Sequence, residues 1–289
     1  MATRLVSVTL PIPPWFRDHC FNGRVILPAV EAMRILAITV EDQHPNRHVR
    51  IMTEGRFARF LEITPDQAEI EILVEMQRDE SGNVRAGLQT RKQLRTMART
   101  ISHCEMSFIA GAAAGQEAMD LPQPSSADPF GEVSAARIYR ELVPFGPAYR
   151  TLQGTLSLTE DSAWGLLQAA DLPAAGNGRE LLGNPFVLDG AMHAACVHGQ
   201  QRVDFVPFPV GFAQRVVHRP TLAGECYLTR VRLKSMAADE LVYDIGIFDR
   251  TGQIRESVTG LRMRDVSGGR LKPPAWIREL RRDGFGLED

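Results

Sequence analysis

The sequence predicts an α+β protein organised as a pseudo-dimer, in which two units each lay one helix against an antiparallel sheet. Three observations carry this. A helical apolar stripe followed by an alternating hairpin occurs twice, and a stretch of different composition separates the two copies. Each copy alone would leave open a strand edge that its twin could close.

The first helix begins near Pro28. In LPAVEAMRILAITVEDQ, Ala29, Met33, Leu36, Ala37 and Val40 fall on one stripe at helical spacing, and Glu31, Arg34 and Glu41 turn away from it. AEIEILVEMQ then alternates, with Ile70, Ile72, Val74 and Met76 on one face and Glu69, Glu71 and Glu75 on the other, before the turn residues Asp79 to Asn83. Ala110 to Gly131 is rich in Ala, Gly, Pro and Ser and nearly free of β-branched residues, which is the composition of a linker. Beyond it, LDGAMHAACVHGQ sets Leu188, Met192, Ala195 and Gly199 at helical spacing, and LVYDIGIFDRTGQIRESVTGLRMR reads strand, turn at Thr251-Gly252, strand. The chain divides into a first unit (1–112), a linker (113–130), a second unit (131–268) and a tail (269–289) with a short helix around Ile277 to Leu280.

A chain of 289 residues fits two such units, and 44% hydrophobic with 24% charged residues excludes fibres and disorder. Its 33 basic and 35 acidic side chains leave a net charge of -2, with no electrostatic footprint for nucleic acid or an anionic membrane. Cys20, Cys104, Cys196 and Cys226 lie far apart without a CxxC pair, so neither a zinc ribbon nor a disulfide framework is indicated. The opening MATRLVSVTLPIPPWF lacks the basic segment and apolar run of a secretory signal, and no stretch has the length of a membrane span. The expectation is a soluble, cytoplasmic protein. His44 and His48 are four apart, but Pro45 argues against a helical metal face, and no metal is expected. Arg91, Lys92, Arg95 and Arg99 read as a solvated face, with an acidic carrier protein as the alternative partner. No GxSxG elbow or glycine-rich phosphate loop is present, which disfavours an esterase or a nucleotide enzyme.

Two segments set reactive side chains beside features that fix them. In HCFNGRVILP, His19 precedes Gly23, where backbone can approach a ligand, and Pro28 sets the helix start. In Asp189-Gly-Ala-Met-His193, i and i+4 spacing puts carboxylate and imidazole on one helical face. Taken singly, each has a plainer reading: His19 a structural histidine, Asp189 a charge or cap at a helix start, His193 a half-exposed helix residue. Their joint placement at the start of the main helix in each half favours chemistry. Cys20 beside His19 reads as a small buried hydrophobe, since adjacent residues point apart in extended chain.

HCFNGRVILP fits HxxxGxxxxP and LDGAMH fits Asp-x-x-x-Gln/His, and with them the chain resembles the dehydratase domains of modular polyketide synthases, which are double hot-dog folds. FGPAYRTLQG resembles the family's Tyr-Gly-Pro-x-Phe region, VPFPVGF its Leu-Pro-Phe region, and IFDRTGQIRESVTGLRMR its closing hairpin, so the resemblance covers roughly residues 5 to 266. HCFNGRVILPAVEAM is also similar to the active-site region of single hot-dog dehydratases of bacterial fatty acid synthesis. There are departures. Phe145 stands for the usual tyrosine, Ala29 follows Pro28 where glycine is common, and Val210-Gly211 replaces Ser-Trp.

The resemblance implies removal of water from a 3-hydroxyacyl chain carried on the phosphopantetheine arm of an acyl carrier protein, giving a trans-2-enoyl thioester. It implies no metal or organic cofactor, and a homodimer. Such a reaction needs a base for the proton beside the carbonyl and an acid for the leaving hydroxyl. Neutral histidine suits the first task, so His19 is the expected base. A carboxyl suits the second if it stays protonated, so Asp189 is expected as the acid, its apolar surroundings outweighing the opposing pull of the helix N-terminus, and oriented by His193. The resemblance gives the Gly23 N–H to the thioester oxygen and places Pro28, Phe145, Gly146, Pro147 and Phe208 with it along the substrate site. The alternatives are a hot-dog isomerase or thioesterase, or an inactive module for carrier docking or dimerisation.

Overall fold

A computed structural model describes residues 3–45, 48–93, 98–110, 131–168, 170–172 and 181–284. In the first half the elements are β1 (Thr3–Pro11), β2 (Cys20–Phe21), β3 (Arg24–Ile26), α1 (Ala29–Gln43), β4 (Ile51–Phe57), β5 (Glu62–Ile63), β6 (Glu69–Arg78), β7 (Val84–Gln93) and β8 (Ala98–Phe108). The second half holds β9 (Gly131–Ser134), α2 (Ala135–Arg137), β10 (Leu152–Leu158), β11 (Ser162–Gln168), α3 (Pro185–Gln200), β12 (Phe208–Val217), β13 (Cys226–Met236), β14 (Glu240–Phe248), β15 (Ile254–Arg264) and α4 (Ala275–Gly284). The expected linker, 113–130, lies outside the described residues.

One 12-stranded sheet runs β1-β6-β7-β8-β4-β12-β15-β14-β13-β11-β10-β9, so each half contributes a contiguous block of strands. The blocks meet at β4 and β12, antiparallel with Phe212 opposite Gly55. This is the edge-to-edge closure expected of two units that would otherwise each expose a strand. Gly55 permits it: the Phe212 ring lies where any side chain at 55 would project. Both hairpins form where the alternation places them, with Arg78 opposite Val84 and Phe248 opposite Ile254.

The stripe residues Met33, Leu36, Ala37 and Val40 are fully buried. Glu31 and Arg34, expected to turn towards solvent, are instead 1% and 3% exposed and pair at 2.9 Å. The reason is tertiary: besides β6 and β7, α1 packs against α3. The same wrapping explains α3, which meets β10, β11, β13, β14 and α1 and is buried on nearly every side rather than along one stripe.

The segment after β15 is docked rather than a free tail. Ile277 in α4 is fully buried, the Arg137 guanidinium stacks 3.4 Å over the Trp276 ring, and Val206 N–H donates to the Leu271 carbonyl. No helix among the described residues is long and apolar enough to cross a membrane.

Candidate active site

The backbone around His19 is set by a 3-10 turn (Pro14–Asp18) and the hairpin of β2 and β3. His19 N–H donates to the Phe16 carbonyl and the His19 carbonyl accepts from Ile26 N–H. The side chain is tied to the same hairpin, its Nδ1 lying 2.8 Å from the Ile26 carbonyl. A carbonyl only accepts, so Nδ1 carries the proton and Nε2 keeps a free lone pair. That Nε2 points at the second unit, 3.9 Å from Asp189 Oδ1.

Asp189 is the fifth residue of α3, and the cap that begins the helix is Asn184, whose side chain accepts from Phe186 N–H with Pro185 at the first position. The carboxylate is thus not needed as a cap. It is 5% exposed, and its Oδ2 lies 2.9 Å from His193 Nε2, although the ring is turned off the line of a good hydrogen bond. On its other side His193 Nδ1 faces the Tyr139 hydroxyl at 3.4 Å, and that hydroxyl accepts from Leu152 N–H. With the hydroxyl donating to Nδ1, the His193 proton is on Nε2, the nitrogen on the carboxylate's side.

Burial pushes the His19 imidazole below the usual histidine value, with Asp189 pulling the other way. For Asp189, burial acts to raise the pKa, but His193 and then His19 together outweigh it and hold the carboxyl below its usual range. This corrects the expectation that desolvation by the apolar surroundings wins over the opposing pull on the carboxyl. The pull of His193, the larger of the two, does most to outweigh the apolar wall.

A cavity of about 450 Å³ opens onto His19, Asp189 and His193. Phe208 stands in its wall, edge-on to Phe21 at 5.0 Å and near Phe60 at 5.9 Å, with Arg24 and Arg59 also at the border. Phe145 borders it too, its ring 4.3 Å from that of His19 and 5.1 Å from that of His193.

The other four residues expected along the substrate do not border the cavity. Gly23, with φ 74, forms the exposed turn between β2 and β3. The Pro28 carbonyl accepts from the N–H groups of Glu31 and Ala32 and starts α1. Gly146 and Pro147 belong to a turn packed on Asp18: the Asp18 carbonyl accepts from Gly146 N–H and its carboxylate from Ala148 N–H, each at 2.8 Å. These residues shape backbone and do not line the pocket. Conversely, Asp18, Tyr139, His103 and Cys196 were not among the expected residues, yet the first two position the site and the last two border the cavity.

Residues 116–273, more than half of the chain, match the family model of the polyketide synthase dehydratase N-terminal domain. The chain belongs to the polyketide synthase dehydratase family. Its fold is likewise that of solved dehydratase domains, double hot dogs. A trans-AT polyketide synthase dehydratase domain from Brevibacillus brevis superposes with a TM-score of 0.72 at 19% identity, covering 91% of this chain and 93% of that one. An N-terminal dehydratase from the difficidin assembly line gives 0.71 at 14% identity, covering 97% and 98%. The bifunctional dehydratase-cyclase domain of ambruticin biosynthesis gives 0.66 at 20%, covering 91% of each chain. No curated protein shows a significant sequence match.

Proposed function

We propose that this dehydratase-family chain removes water from a 3-hydroxyacyl thioester carried on an acyl carrier protein and yields the trans-2-enoyl thioester. The observation that carries the reading is a base and a carboxyl from different halves, His19 Nε2 and Asp189 Oδ1, held 3.9 Å apart at an apolar-walled cavity. His19 Nε2 takes a proton from C2, and the electron pair left behind forms the C2–C3 double bond. The C3–O bond breaks as the hydroxyl receives a proton from Asp189 Oδ1 and departs as water. The proton on His19 returns to Asp189 through solvent after release.

The reaction asks Asp189 to change its resting charge. In its working neutral form His19 contributes no positive charge to hold the carboxyl down, and an acyl chain filling the cavity deepens the burial that raises it. The reaction requires the proton on Asp189 when the hydroxyl arrives, against the pull of His193. Positioned acid and base groups contribute about 100- to 10,000-fold each.

The test is turnover of 3-hydroxyacyl thioesters, first as N-acetylcysteamine surrogates and then loaded on carrier protein, followed by mass spectrometry for loss of water. His19→Ala and Asp189→Asn each lower kcat by ~100-fold or more. A folded wild-type chain that turns over neither substrate, or that only hydrolyses the thioester or moves a double bond, overturns the reading.

A further inference from the structure

The turn behind the site reads Phe145-Gly-Pro-Ala-Tyr149, where the family pattern is Tyr-Gly-Pro-x-Phe: phenyl and phenol have exchanged places. Phe145 takes the cavity side and offers no hydroxyl to a substrate. Tyr149 takes the far side. It is 1% exposed, its ring meets that of His19 edge-on at 5.0 Å and that of Phe186 at 5.0 Å, and its hydroxyl has no hydrogen-bond partner among the described residues. The turn is also fixed to the residue before the base, because Asp18 accepts from Gly146 N–H and Ala148 N–H. Tyr149 therefore cannot move without pulling on Asp18 and, through it, on His19.

A buried hydroxyl with no partner is unfavourable, and a phenyl would fill the same space without that penalty. The ring packs on that of His19, and the hydroxyl feels charged groups without hydrogen-bonding to any of them. They are the carboxylates of Glu31 on α1, Asp189 on α3 and Asp18 before His19, together with the imidazole of His19, with His193 one turn beyond Asp189. Burial and these carboxylates hold the phenol far above its ordinary pKa, so it stays a neutral donor.

We propose that Tyr149 is a positioning residue for the His19–Asp189 pair, its hydroxyl supplying from behind His19 the polar group that Phe145 does not supply on the substrate side. This rests on the dehydration reading. The O–H dipole among these carboxylates favours their charged form without a hydrogen bond, so its loss makes Asp189 a weaker acid and removes the polar group behind the His19 ring.

The experiment compares wild type with Tyr149→Phe on a 3-hydroxyacyl N-acetylcysteamine thioester, reading kcat, KM, the pH profile of kcat and Tm. Tyr149→Phe is expected to keep or raise Tm, to change KM by less than about 2-fold, to lower kcat by ~10- to 100-fold, and to move the basic limb of the profile to higher pH. An active wild type with an unchanged kcat and profile in Tyr149→Phe overturns the proposal and leaves the dehydration reading standing. An inactive wild type overturns that reading instead. Should Tyr149→Phe fail to fold, 3-fluorotyrosine placed at 149 decides: its more acidic phenol of nearly the same shape moves the basic limb to lower pH, and an unmoved limb overturns the proposal.

Discussion

Gly146→Ala tests whether the turn that holds Tyr149 also sets the base. A Cβ at 146 would land on the Asp18 carboxylate, the group whose Oδ2 accepts from Ala148 N–H at 2.8 Å. The carboxylate has to swing away, and the half-buried charge-assisted bond it loses is worth about 1.5–3 kcal/mol. For a chain of this size that is a fall in Tm of about 2–5 °C. Asp18 is bonded directly to His19, so the displacement reaches an imidazole that must sit opposite Asp189, and a misplacement of about 1 Å costs ~100-fold in rate. Asp18→Ala is the control, because it deletes the same bond without the push. Differential scanning fluorimetry and thioester turnover on both variants separate the two effects. Gly146→Ala should fall further in kcat than Asp18→Ala at a similar Tm. Equal kcat in the two variants would refute the claim that the turn positions the base.

The low pKa of His19 sets the pH dependence. On the proposed mechanism the neutral form of His19 does the work and its folded value lies below 6.5, so the acid limb of kcat, read at saturating substrate, should fall only below pH 6.5; an acid limb beginning above 6.5 contradicts the assignment. The same sign applies to stability: the unfolded chain takes up the proton first, so what His19 contributes is present above pH 6.5 and lost as pH falls through its folded value, visible as a declining Tm. Arg215 and Glu256 form a buried pair at 2.6 Å, 3% and 1% exposed. Glu256→Gln leaves a buried guanidinium uncompensated and should destabilise by about 3–5 kcal/mol in denaturant unfolding, whereas replacing both by apolar residues should recover most of that. Phe208→Ala opens the wall that Phe21 and Phe60 form with it, and should raise KM more than it lowers kcat, which steady-state kinetics on acyl surrogates will show.

What was readable in the sequence was local or logical. Period sufficed for α1, α3 and the two hairpins, and the rule against open edges led to two sheets joined edge to edge but not to the strands, β4 and β12, that make the joint. Glu31 and Arg34 went astray because a helical stripe shows one covered face and says nothing of a second helix on the other. The charge of Asp189 turned on a balance that residue types alone do not weigh: the pull of His193, four residues on, and then of His19 outweighs the apolar neighbours. Gly23, Pro28, Gly146 and Pro147 belong to the motifs because they bend backbone, so their prominence did not place them at the cavity. Asn184-Pro185 carried a legible cap signal. Tyr139 carried none, since nothing near it in sequence announces a hydrogen bond to His193.

The pseudo-symmetry of the fold offers two places for an acid, and the chain uses one. Asp189 is the fifth residue of α3, and Met33 is the fifth residue of α1. Met33 is fully buried, and its Sδ accepts from Arg215 Nη1 at 3.6 Å while Arg215 Nε is paired with Glu256. The strands of the second half thus reach α1 with an ion pair, where the hairpin of the first half reaches α3 with an imidazole. A thioether in place of a carboxyl, set against a guanidinium that is already satisfied, has neither a proton to give nor a base to work with. One half keeps chemistry at this position and the other keeps packing, so each chain should hold a single acyl group at saturation. A stoichiometry of two, measured by isothermal titration with a non-hydrolysable 3-hydroxyacyl analogue, would show that the second place is still open.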